Sequence, residues 1–221
     1  MLLSFDSSAV TASAALTDGG RVIRSEFVNA GLTHSETLLP MIKRVMGDYS
    51  FSSLNAIAVT NGPGSFTGVR IGVATAKGLA FANSIDCIGV STLEAIAYNF
   101  VDENAFVCAV MDARRMQFYN AIFRVENGII TRLCDDRAIS LEDLKKELEG
   151  IERVIIAGDG AKLCNDSLAL KNTVLASEEK IYQNAIGVSL AAENNKKTSA
   201  KKLMPVYLRM SQAERELKPK K

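Results

Sequence analysis

The chain has 221 residues, 48% hydrophobic and 23% charged, an ordinary globular balance that excludes a disordered or fibrous protein. Twenty-six basic residues against 25 acidic ones leave a formal charge of +1. Unaided nucleic-acid binding normally needs a clear basic excess or stripe, so any RNA role is expected to run through a partner.

Leu2–Phe5 reads as a buried strand ending at Asp6, and Ala12–Thr17 and Arg21–Val28 as two strands joined by the turn Asp18-Gly19-Gly20. A helix is predicted over His34–Met46: Thr33 and Glu36 have capping-box spacing, and Leu38, Leu39, Ile42, Val45 and Met46 make one apolar stripe. The strand Ala56–Thr60 enters the loop Asn61-Gly62-Pro63-Gly64. The helix Ser65–Phe81, the strand Asp86–Val90 and the helix Thr92–Phe100 follow.

The pattern then restarts. Phe106–Val110 is a strand followed by Asp112, with hairpin strands Gln117–Arg124 and Ile129–Arg132 around Glu126-Asn127-Gly128. Ser140–Leu148 is a helix capped by Ser140 and Asp143, Arg153–Ala157 a strand running into Gly158-Asp159-Gly160, and Asn184–Glu193 a helix. Leu170–Lys180 has no clear pattern. Two copies of strand-strand-strand-helix-strand predict two similar α/β lobes, over 1–102 and 103–210, with a polar tail over 211–221. The four cysteines, Cys87, Cys108, Cys134 and Cys164, are widely spaced, so buried free thiols in a reducing cytoplasm are expected over a disulfide framework or zinc site. A single histidine, His34, rules out a His-Glu-x-x-His site.

Three features carry chemistry. The glycine-rich loop Asn61–Gly68 can cradle an anion or simply pack as a turn; it lacks the lysine of a Walker loop and the glycine spacing of a nucleophile elbow. The helix after it offers water only Thr67, Arg70, Thr75 and Lys77, and carries Gly68, Gly72 and Ala76 at four-residue spacing. A surface helix should show a polar face. A subunit interface is therefore expected on Gly68, Val69, Gly72, Val73, Ala76 and Leu79, joined by Leu38, Ile42, Val45 and Met46 of the preceding helix. The alternative is that both faces are covered within the chain. Finally, Asp6-Ser7-Ser8 with Thr11, and Asp112 in the equivalent place, look like phosphate and metal turns of two-lobed ATP-binding folds, with Gly158 and Gly160 as a further nucleotide contact; aspartate is also a common turn residue.

Phe5-Asp6-Ser7-Ser8, His34-Ser35-Glu36 with Leu38-Leu39-Pro40, the run Gly62–Gly72, Met111–Arg115 and Pro205-Val206-Tyr207-Leu208-Arg209 together resemble the bacterial TsaB family of tRNA threonylcarbamoyladenosine biosynthesis proteins. The resemblance implies an α/β fold of two lobes, of the ribonuclease-H-like and actin-like type shared by sugar kinases and Hsp70 ATPases. It also implies a non-catalytic scaffold that docks on the TsaD-type catalytic subunit and works with the TsaE-type ATPase, reaching tRNA through that complex and forming a homodimer when alone. In the catalytic relative, two histidines spaced His-x-x-x-His bind a metal. Here Leu38 stands four residues after His34, so that metal site is missing and no catalytic residue is assigned. No cofactor is expected for this subunit, ATP being used by the complex, although the aspartate turns leave weak nucleotide–magnesium binding open. An ATP-dependent phosphotransferase or ATPase of the same fold is the competing reading.

Overall fold

The computed structural model describes residues 1–29, 31 and 33–209. The first sheet is built on Leu2–Asp6 (β1), with Ala12–Asp18 (β2) and Arg21–Val28 (β3) antiparallel on one side, and Ala56–Gly62 (β4) and Cys87–Ser91 (β5) parallel on the other. Gly19 and Gly20 take the left-handed conformations, φ +53° and +78°, that the tight β2–β3 turn requires. One face carries His34–Met46 (α1) and Phe66–Asn83 (α2), whose inward side chains join Leu3, Phe5, Ala14 and Leu16 in a core. Thr33 precedes α1 as expected, but its side chain caps nothing; only its carbonyl is used, accepting from the Glu36 amide. The side-chain cap of α2 is made by Ser65, which accepts from the Gly68 amide.

Thr92–Ala97 (α3) leads to the second sheet: Ala105–Asp112 (β6), Gln117–Glu126 (β7), Ile129–Arg132 (β8), Arg137–Ser140 (β9), Val154–Ala157 (β10) and Thr173–Leu175 (β11). Its order, β11-β10-β6-β7-β8, repeats that of the first sheet, with β9 as an extra strand on β7. The segment without a clear sequence pattern thus supplies β11, the counterpart of β5. Leu141–Leu148 (α4) starts on the expected cap, with Ser140 Oγ accepting from the Asp143 amide and donating to its carboxylate. Ala161–Leu168 (α5), which the sequence did not suggest, covers β10 and β11.

The expected division at residue 102 needs correction at the C-terminal end. Ala185–Ala192 (α6) returns to the first sheet, where Val188, Ala191 and Ala192 pack with Ala56, Ala58, Ile88 and Val90. Ser4 Oγ donates to the Ala185 carbonyl at 2.7 Å, and the Thr17 and Ser189 hydroxyls lie 2.7 Å apart. Beyond α6, Thr198 bridges Cys87 at the β5 edge and Leu203 is buried in the first-lobe core. The cause is coverage: α1 and α2 occupy one face of the first sheet, and α6 is the apolar segment that closes the other. The tail 211–221 lies outside the described residues.

Candidate docking face and interlobe cleft

The glycine stripe of α2 faces inward. A Cβ on Gly68 would collide with the Ser7 carbonyl, and one on Gly72 would stand 2.7 Å from Ser7 Oγ and 3.3 Å from Val59. Val69, Val73 and Ala76 are buried beside them, as are Leu38, Ile42, Val45 and Met46 of α1, and Leu79 packs against the same core. These residues were expected to form the interface; the correction is that they bind the helices to their own sheet. Helix glycine costs about 1 kcal/mol relative to alanine, and here the cost is offset by bringing the α2 backbone onto the Asp6-Ser7-Ser8 turn.

The residues left outside are different ones. Arg70, Ala74, Gly78, Phe81 and Ala82 on α2 and Leu39 on α1 are exposed, Phe81 to 83%. A Cβ at Gly78 would meet nothing within 4 Å. Thr67 and Asn83 are exposed at the two ends of α2, and between Arg70 and Asn83 its exterior is apolar, where the small residues Ala74 and Gly78 let another surface approach its backbone.

The aspartate turns meet between the lobes. Asp6, at the end of β1, is fully buried: Oδ1 accepts from Thr60 Oγ1 at 2.5 Å, from Ser8 Oγ at 2.6 Å and from the Ser8 amide at 3.2 Å, while Oδ2 has no partner. Burial pushes its carboxyl above the usual range, against the downward pull of the Ser8 and Thr60 hydrogen bonds. Asp112 caps its own turn, accepting from the Arg114 amide at 2.7 Å. Asp159, after β10, accepts from the Asp112 amide at 3.3 Å, and burial pushes it up to about 6. His34 Nε2 donates to the Ala9 carbonyl at 2.5 Å, and its Nδ1 is buried without a partner.

A cleft of about 410 Å³ opens in front of these turns, lined by Ala9, Gly64–Thr67, Asp112, Arg114, Tyr119 and Asp159, with Val206–Arg209 along one rim. The donors a phosphate would need are spent elsewhere. Ser7 Oγ donates to the Gly68 carbonyl at 2.9 Å, Ser8 Oγ donates to Asp6, and Ser65 N–H donates to the Ser8 carbonyl at 2.7 Å. Gly158, at φ +117°, abuts the Val110 carbonyl, and Gly160 abuts the Asp112 amide, so both glycines seat β10 on β6 where a nucleotide contact was expected. Among the described residues, no group of three or more His, Cys, Asp or Glu side chains is placed to hold a metal ion. This donor set does not fit a magnesium–nucleotide group.

Composition and periodicity gave no signal for Tyr207 and Arg209, which enter the sequence reading only through the resemblance. Tyr207 stacks on Phe66 with centroids 4.3 Å apart, and Arg70 lies 3.9 Å over Phe66 while its Nε donates to the Tyr207 hydroxyl at 2.8 Å. Arg209 Nη1 donates to the Ala113 carbonyl at 2.8 Å.

Two α/β lobes of one strand order, with their leading strands ending in aspartates at a shared cleft, define an actin-like two-lobed fold. EutJ of Carboxydothermus hydrogenoformans shares it at a TM-score of 0.51 and 10% identity, over 86% of this chain and 89% of that one. The YeaZ structure from Pseudomonas aeruginosa is nearer, at a TM-score of 0.80 and 26% identity over 94% and 99% of the two chains. Residues 28–216 match the family model described as TsaD, tRNA N6-adenosine threonylcarbamoyltransferase. The tRNA threonylcarbamoyladenosine biosynthesis protein TsaB of Bacillus subtilis is 31% identical over 96% of both chains, and that of Escherichia coli 38% identical over 58% of this chain and 57% of its own. The chain belongs to the TsaB family.

Proposed function

We propose that this protein is the non-catalytic partner subunit of the assembly that makes threonylcarbamoyladenosine beside the anticodon of tRNA. It docks on a TsaD-type catalytic subunit through the outer face of α1 and α2. The observation that carries this reading is the exposed apolar strip of Leu39, Ala74, Gly78 and Phe81, since an unpartnered apolar patch usually marks an association site. Without a second histidine the chain has no His-x-x-x-His pair of its own. ATP is used by the complex, with a TsaE-type ATPase, and this subunit requires no cofactor. It reaches tRNA indirectly, acts in the cytoplasm, and alone uses the same strip to form a homodimer. Among the described residues, no helix is long and apolar enough to cross a membrane, and all four cysteines are free thiols.

Titration calorimetry against the TsaD-type subunit tests the reading. Ala74→Arg should abolish binding while leaving thermal stability unchanged, because Ala74 is exposed; undiminished binding by that variant would remove the strip as the docking site. The competing reading, an ATP-dependent phosphotransferase or ATPase, would have to work with Asp112 and Asp159 alone, since the rest of the cleft does not fit a magnesium–nucleotide group. ATP turnover by the purified chain that Asp112→Asn abolishes without changing thermal stability would favour it.

A further inference from the structure

We propose that Leu203–Arg209 is a clamp across the mouth of the interlobe cleft, fixing its opening with the chain's own residues. The segment is zipped to the first lobe along most of its length. Lys77 Nζ donates to the Leu203 carbonyl at 3.0 Å, Asn61 Nδ2 to the Met204 carbonyl at 3.2 Å, and the Val206 amide to the Asn61 carbonyl at 2.7 Å. The Val206 carbonyl occupies the space a Cβ on Gly62 would take, so the glycine of the loop lets the strap lie flat on it. Tyr207 is held between two first-lobe side chains, its ring on Phe66 and its hydroxyl under Arg70. Two residues later the chain reaches the other lobe, where Arg209 donates to the Ala113 carbonyl. Ala113 closes the β6–β7 turn, its own amide donating to the Gln117 carbonyl at 3.0 Å.

The strap is therefore fixed at one end by stacking, backbone pairing and a buried leucine, and at the other by a charge-assisted hydrogen bond, the stronger kind for a single point of attachment. Between the anchors, Val206, Tyr207 and Leu208 line the cleft. The clamp stands whether or not the α2 face docks a partner.

Cutting either end and reading the other tests this by hydrogen exchange on the full chain. Arg209→Ala removes only the second-lobe anchor, yet should accelerate exchange of the Val206 amide by about tenfold. Tyr207→Ser removes the first-lobe stack, yet should loosen the turn Ala113–Gln117 by a similar factor. Amides at the centres of β1 and β6 should not change. Effects confined to the mutated end would reduce the segment to two independent surface contacts and overturn the clamp. Should Tyr207→Ser unfold, Tyr207→Phe keeps the ring and removes only the Arg70 contact, and it must still loosen the distant turn measurably.

Discussion

Asp6 ends β1 and Asp159 follows β10, and their surroundings give the two carboxylates different tasks. Asp6 is an internal tie: one oxygen collects Ser8 and Thr60, locking the turn against the end of β4. Asp159 lines the cleft and joins β10 to the end of β6 through the Asp112 amide. Its carboxyl is pushed from 3.8 to about 6, chiefly by burial. Between those values the folded state retains a proton that the unfolded chain has released, so this group's contribution to stability falls as pH rises through the window and levels off above it. The whole effect is at most about 3 kcal/mol. Asp159→Asn keeps an oxygen to accept from Asp112 but cannot ionise. Urea midpoints from pH 4 to pH 7 should therefore decline less in the variant than in the parent, and parallel curves would show that Asp159 does not titrate in this range.

At the scale of the element, α2 shows what periodicity reveals and what it leaves open. The scarcity of polar residues over Ser65–Phe81 is plain in the sequence and correctly marks a helix apolar on both sides. Which small residues face the sheet depends on where the Ser7 turn and Val59 sit, a tertiary fact outside any local window. The two stripes, Gly68-Gly72-Ala76 and Ala74-Gly78, lie on nearly opposite faces of the helix, and both are made of small residues. They respond oppositely to substitution. Gly72→Leu overpacks the core and should cost about 1–3 kcal/mol or more. Gly78→Ala adds a methyl in open space and should gain about 0.5–1 kcal/mol of helix stability, while weakening association if that glycine lets a partner approach. Thermal melts of both variants check the first contrast; a destabilised Gly78→Ala protein would contradict the outward placement.

The same limit explains the other elements the sequence hid. Thr173–Leu175 is three residues long, too short to show alternation, and is a strand because β10 offers its edge. The polar run Asn194–Lys202 carries no periodicity, and long-range contacts place it: Asn194 donates to the Tyr98 hydroxyl, Lys197 to the Asn55 carbonyl, and Thr198 bridges Cys87. By contrast, both leading strands, the hairpins and α1 were legible from apolar runs, turn residues and stripe spacing, because their determinants are local.

For the molecule as a whole, charge sets an expectation separate from shape. With a formal charge of +1 there is little counterion release to drive polyanion binding. In filter binding at physiological salt, the isolated chain should hold tRNA only weakly, and sub-micromolar retention would reveal a basic face that the net charge conceals.

The return of α6 to the first sheet makes the second lobe an insertion within the first, and this bears on how the protein is born. Chains emerge from the ribosome N-terminus first, and domains generally fold as they become complete. The first lobe is synthesised early but cannot be finished early. Until Ala185–Leu203 has left the exit tunnel, Ala56, Ala58, Ile88 and Val90 lack the cover that α6 gives them, and Cys87 lacks its bridge to Thr198. The second lobe, with β6 to β11 contiguous in the chain, can fold in the interval. The half translated first is thus the half completed last, and a nascent chain stalled before α6 would present an apolar sheet face, covered only in part by α3, to the chaperones waiting at the tunnel mouth.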